Sequence, residues 1–139
     1  MIPGRCRENI RQNDAIKERV VCHMARIGMI GAGSWGIALT VLLHNNGHDI
    51  TVWSALKDEI DMLGREHEHK DKLPGVKLAD DIVFTTALAD AVKEKDILVL
   101  AVPSSFTRAT ACSMKEYVAE GQIIVNVAKG IEESSLMTL

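Results

Sequence analysis

The sequence predicts an α/β domain built on a doubly wound parallel sheet, and three observations predict it. From residue 26 onward, short apolar or β-branched runs alternate with segments of helical period. That alternation belongs to strands joined by right-handed helical crossovers. Residues 96–102 (D-I-L-V-L-A-V) and 123–127 (I-I-V-N-V) read as continuous apolar runs, as expected of strands covered by helices on both faces. Residues 26–36 (R-I-G-M-I-G-A-G-S-W-G) run from an apolar stretch into glycines spaced G-x-G-x-x-G, ahead of an apolar-rich segment. That is strand, tight turn and helix.

The chain totals agree with one domain. At 139 residues, 47% hydrophobic and 25% charged, the chain can bury a core, which 4% aromatic content makes mostly aliphatic. A net charge of −3 gives no electrostatic case for nucleic acid or an anionic membrane surface. No stretch approaches the roughly 18 apolar residues of a membrane span. The N-terminus lacks the apolar core of a secretory signal. Cys6, Cys22 and Cys112 are an odd number at no metal-ligand spacing, which reads as reduced thiols in a reducing compartment. The expectation is a cytoplasmic protein.

Residues 1–24 differ from the rest. Five basic residues are interleaved with Glu8, Asp14 and Glu18, and the apolar positions keep a broken helical period. Targeting peptides avoid acids, so this segment is expected to be a poorly ordered extension without function, with the domain covering residues 25–139.

The first strand is expected at Arg26–Ile30 and the first helix at residues 34–46, with Ser34 suited to its start and Gly47 a left-handed stop. A β-branched second strand follows at Asp49–Trp53, then a helix carrying Leu56, Ile60 and Leu63 on one face. Residues 65–74 (R-E-H-E-H-K-D-K-L-P) are expected to be a solvated, strandless stretch ending at a Pro-Gly turn. His67 and His69 would suit a metal if they shared one face of a strand, but nothing around them reads as a strand and no third ligand is in sight, so no metal site is expected. The third strand falls at residues 82–85, a short helix at 88–93 and the fourth strand within 96–102. Pro103 ends that strand, and Ser104 or Ser105 is placed to cap a helix carrying Phe106, Ala109, Met114 and Tyr117. After the fifth strand come Ala128-Lys129-Gly130, and residues 132–139 resemble the start of a helix within a longer protein.

In such a sheet ligands bind beyond the carboxyl ends of the strands, where strand order reverses. Three signals fall at such ends: the glycine turn, Pro103-Ser104-Ser105 and Lys129-Gly130. In a dinucleotide site of the Rossmann type, Gly31 permits the sharp turn. Gly33 lets a pyrophosphate approach the backbone, and Gly36 lets the helix sit close to the sheet. A plain glycine turn in another α/β domain is the weaker alternative. Lys129 would hold a phosphate or polarise a carbonyl, or would merely leave the core at a strand end. Past the second strand, Ser54-Ala55-Leu56-Lys57 places neither an acid for a ribose hydroxyl nor an arginine for a 2′-phosphate. Lys57 would approach a 2′-phosphate or, the stronger reading, begin a solvated helix, and NAD versus NADP stays open.

Four motifs in this order and spacing carry a resemblance: G-A-G-S-W-G at residues 31–36, L-P-G-V at 73–76, A-V-P-S at 101–104 and A-K-G-I-E at 128–132. From about Met24 onward the chain resembles the N-terminal domain of bacterial-type NAD(P)-dependent glycerol-3-phosphate dehydrogenase. The resemblance implies reduction of dihydroxyacetone phosphate to sn-glycerol 3-phosphate with NADH or NADPH for glycerophospholipid synthesis. It implies cofactor contacts at Gly31, Gly33, Ser34, Trp35, Gly36, Ala55 and Phe106, with Lys129 touching cofactor and substrate. Neither nucleic acid nor membrane is an expected partner, and a homodimer is one expectation for the full-length protein. The resemblance places the proton-donating lysine and the phosphate-gripping residues in a helical C-terminal domain, so no catalytic residue is expected within these 139 residues. The alternatives are another two-domain hydroxy-acid dehydrogenase and a non-catalytic dinucleotide-binding module.

Overall fold

A computed structural model describes residues 24–139; the expectation for the N-terminal extension lies, apart from Met24, outside the described residues. In chain order the elements are β1 (Arg26–Ile30), α1 (Ser34–Asn45), β2 (Asp49–Trp53), α2 (Lys57–Glu66), β3 (Glu68–His69), β4 (Leu73–Lys77), β5 (Val83–Thr85), α3 (Leu88–Val92), β6 (Ile97–Leu100), α4 (Ser104–Met114) and β7 (Ile123–Asn126). Five strands form one sheet in the order β5-β2-β1-β6-β7, with every neighbouring pair parallel. From β1 the chain steps outward to β2 and β5, then returns to lay β6 against the other side of β1. Strand order therefore reverses between β1 and β6. This is the double winding the alternation predicts.

Strand alternation divides the core into two layers. Ile27, Met29, Ile50, Val52 and Val99 pack on one face against Ile37 of α1 and Ile60 and Leu63 of α2. Ile30, Leu98 and Leu100 pack on the other against Ala91 and Val92 of α3 and Met114 of α4. Gly28 faces that second layer. A Cβ built on it would lie 1.9 Å from the Ala91 carbonyl oxygen, so the backbone of α3 rests directly on the strand.

Several sequence expectations need correction. Residues 65–74 are not strandless: β3 and β4 pair antiparallel, and His69 is buried, because a carboxylate from α2 meets its ring. Leu56 precedes α2 and is exposed, leaving Ile60 and Leu63 as the apolar face. No side chain caps α1 or α4, where Gly33 and Pro103 hold the cap positions. The inward face of α4 is Thr107, Thr110 and Met114, whereas Phe106 and Ala109 are exposed. β7 is apolar yet exposed at Ile123, Ile124 and Val125, since it is the sheet edge and the described helices pack over the other strands. Residues 132–139 form a turn closed by an Ile131–Thr138 bridge rather than a helix. Leu136 takes a left-handed φ of 57°, and the Arg108 guanidinium grips Glu132 through two nitrogens. Arg108 and the Ser135 hydroxyl hold the Glu132 carboxyl down at about 2.

Candidate functional site

The carboxyl ends of β1, β2, β6 and β7 open onto one cavity of about 700 Å³. Gly31 leaves β1 at φ 122°, and its N–H donates to the Trp53 carbonyl at the end of β2, 2.9 Å away. A Cβ at Gly31 would meet the Ala101 backbone at 2.8 Å, so the turn also abuts the end of β6. Gly33 differs: a Cβ there would meet nothing within 4 Å. Its missing side chain leaves room on the cavity wall. Gly36 packs the turn onto itself, where a Cβ would come within 2.1 Å of the Gly31 oxygen. It does not line the cavity, unlike Gly31, Gly33, Ser34, Trp35, Ala55, Phe106 and Lys129, which all do.

The electrostatics of the turn suit an anion. α1 begins without a capping side chain and without an acid in its first turn, leaving its N–H groups and dipole to a negatively charged group. Two large aromatics on the wall are open to solvent, Trp35 at 54% and Phe106 at 61%, and each offers a ring face to the cavity side of the fold. The Ser34 hydroxyl donates to the Lys72 carbonyl (2.9 Å), tying the first turn of α1 to the loop between β3 and β4. Lys129 lies exposed at the β7 end of the wall. Lys57 is not on the wall: its ammonium pairs with Asp61 at 2.6 Å.

Sequence reasoning missed a polar cluster on the β2 side. Glu59 of α2 is buried and lines the cavity. Its carboxylate accepts from Ser54 Oγ (2.5 Å), His69 Nε2 (2.9 Å) and Lys72 Nζ. His69 Nδ1 accepts from the Lys72 N–H (3.3 Å), which leaves the ring proton on Nε2, facing the acid. The signal was present: Glu59 stands four residues before Leu63 and next to Ile60, on the helix face that points inward. Burial alone would raise the Glu59 carboxyl, but the hydrogen bonds from Lys72, Ser54 and His69 outweigh it and hold the group below its ordinary value.

A depressed carboxyl stabilises the fold above its unfolded pKa, and that stabilisation is lost as pH falls through the folded value. Urea midpoints are therefore expected to drop between pH 7 and pH 3, below the ordinary carboxylate value of about 4.3. Glu59→Gln should flatten that dependence; an equally steep dependence in the variant would show that other carboxylates carry it.

Strand order and cavity together define a Rossmann-type domain of the dehydrogenase class. The family described as NAD-dependent glycerol-3-phosphate dehydrogenase N-terminus matches residues 26–139, and the chain belongs to that family. A glycerol-3-phosphate dehydrogenase (NAD(P)+) of Agathobacter rectalis is 62% identical over 116 residues, 84% of this chain and 34% of that protein. A second, from Lactobacillus delbrueckii subsp. bulgaricus, is 51% identical over the same shares. The crystal structure of glycerol-3-phosphate dehydrogenase from Coxiella burnetii superposes with a TM-score of 0.75 at 25% identity, over 80% of this chain and 34% of that one. The chain thus spans about 34% of the length of the curated relatives it matches. Among the described residues no helix is long and apolar enough to cross a membrane, and no cluster of His, Cys, Asp or Glu could hold a metal ion.

Proposed function

We propose that this chain is the cofactor-holding part of a glycerol-3-phosphate dehydrogenase that reduces dihydroxyacetone phosphate to sn-glycerol 3-phosphate in the cytoplasm, with neither nucleic acid nor membrane as partner. The observation that carries this reading is the single cavity joining the glycine turn after β1 to Lys129 after β7. Those ends stand two strand spacings apart in the sheet, roughly 10 Å, a span that suits a bound dinucleotide reaching from its phosphates to its reactive ring. The open space at Gly33 and the uncapped start of α1 fit a pyrophosphate. When bound, the nicotinamide would supply the hydride. Trp35 and Phe106 offer aromatic surface beside the cofactor. Lys129 places a positive charge where the substrate carbonyl gains negative charge, which lowers the barrier if the ammonium is fixed there beforehand.

The test is Lys129→Ala in a full-length protein carrying this sequence. Removing one such charge is expected to lower kcat/KM for dihydroxyacetone phosphate by at least about tenfold, the equivalent of 1.4 kcal/mol of transition-state stabilisation. An unchanged kcat/KM would make Lys129 a lysine that only leaves the core. No turnover of dihydroxyacetone phosphate by the unsubstituted protein would overturn the assigned reaction.

A further inference from the structure

We propose that Lys72 makes this site prefer NADP(H) to NAD(H), by moving its ammonium from Glu59 to the 2′-phosphate on the adenosine ribose. The inference rests on the cofactor reading above and concerns the β2 end of the same cavity. In doubly wound domains the ribose is read just past the second strand. Here Ser54, Ala55 and Leu56 carry no charge, and the cations on the cavity wall are Lys72 and Lys129. Lys129 follows β7, three strand spacings from β2 in the sheet order, roughly 14 Å. Lys72 is thus the cation at the ribose end.

Glu59 is poorly placed to act as the acid that accepts a ribose 2′-hydroxyl. Its side chain is only 8% exposed. Oε2 already takes the Ser54 hydroxyl, and Oε1 takes both His69 and Lys72. The Lys72 side chain is 42% exposed, so its ammonium can turn away from Glu59 without unpacking the core. When its ammonium leaves, Glu59 keeps the hydrogen bonds from Ser54 and His69, so no bare buried charge is left behind. The Lys72 backbone stays fixed meanwhile. Its carbonyl accepts from Ser34, in the first turn of α1, and its N–H donates to His69. The side chain therefore swings from an anchor tied to the phosphate turn. Glu59 acts here as a positioning residue, holding the ammonium on the rim and opposing a second negative charge beside it.

Fluorescence titration with NADPH and NADH tests the proposal. The unsubstituted chain should bind NADPH more tightly than NADH. Lys72→Ala should weaken NADPH by at least about tenfold, the scale of one charge-assisted hydrogen bond, while leaving NADH affinity unchanged; its melting temperature should fall, because Glu59 loses its ammonium partner, and the titration is run below that transition. Lys72→Arg should keep the preference. Glu59→Gln, if folded by its melting transition, should raise the NADPH-to-NADH preference, which a purely structural acid would not do. An equal effect of Lys72→Ala on both cofactors, no effect on either, or a preference for NADH in the unsubstituted chain would overturn the proposal alone. Binding of neither cofactor to the unsubstituted chain would overturn the cofactor reading as well.

Discussion

Replacing Gly33 by valine is expected to weaken NADH binding at least about a hundredfold, close to 2.7 kcal/mol, while the chain stays folded. The two effects separate because of where the side chain would go. A Cβ at Gly33 meets no protein atom within 4 Å, so the fold has no clash to relieve. Its backbone, at φ −67° and ψ 174°, is extended and suits a β-branched residue. Valine is a poorer helix cap than glycine, which should cost up to about 1 kcal/mol. A pyrophosphate seated on the turn would share the new methyl groups' space. Titration of NADH against both proteins, with urea midpoints alongside, checks this. Equal affinity would remove the dinucleotide from this turn.

Gly28→Ala should produce the opposite pattern, an unstable fold with the cavity wall untouched. The added methyl would stand 1.9 Å from the Ala91 carbonyl oxygen and 3.0 Å from Leu98 Cδ2. Backbone cannot yield as a flexible side chain can, so α3 must lift from the sheet and open the layer formed by Ile30, Val92 and Leu98. Overpacking on this scale is expected to cost about 3 kcal/mol or more, seen as a lower urea midpoint. Gly64→Ala is the internal control: that glycine is helical with nothing within 4 Å, so alanine should be neutral or stabilising by up to about 1 kcal/mol. Similar midpoints for Gly28→Ala and the unsubstituted chain would mean that α3 is not seated on β1 as described.

Local pattern determined the alternation of strands and helices, the glycine turn and the double winding. Each is written in periods or spacings a few residues long. The run at residues 97–100 is apolar because β6 is covered on both faces, so its burial was legible in its composition. The same composition misled at β7, whose burial depends on its place in the sheet order, and that order is settled by the other strands. Gly28 reads as one more glycine in a strand until α3, 63 residues further on, is laid against it. His69 and Lys72 read as solvated charge because the run around them is polar, and nothing in the sequence pairs them with Glu59. Only tertiary structure folds the β3–β4 hairpin back along α2 and brings those groups together. Charge in a sequence does not state its exposure: a buried carboxylate is tolerable when donors surround it, and here the donors arrive from ten and thirteen residues away.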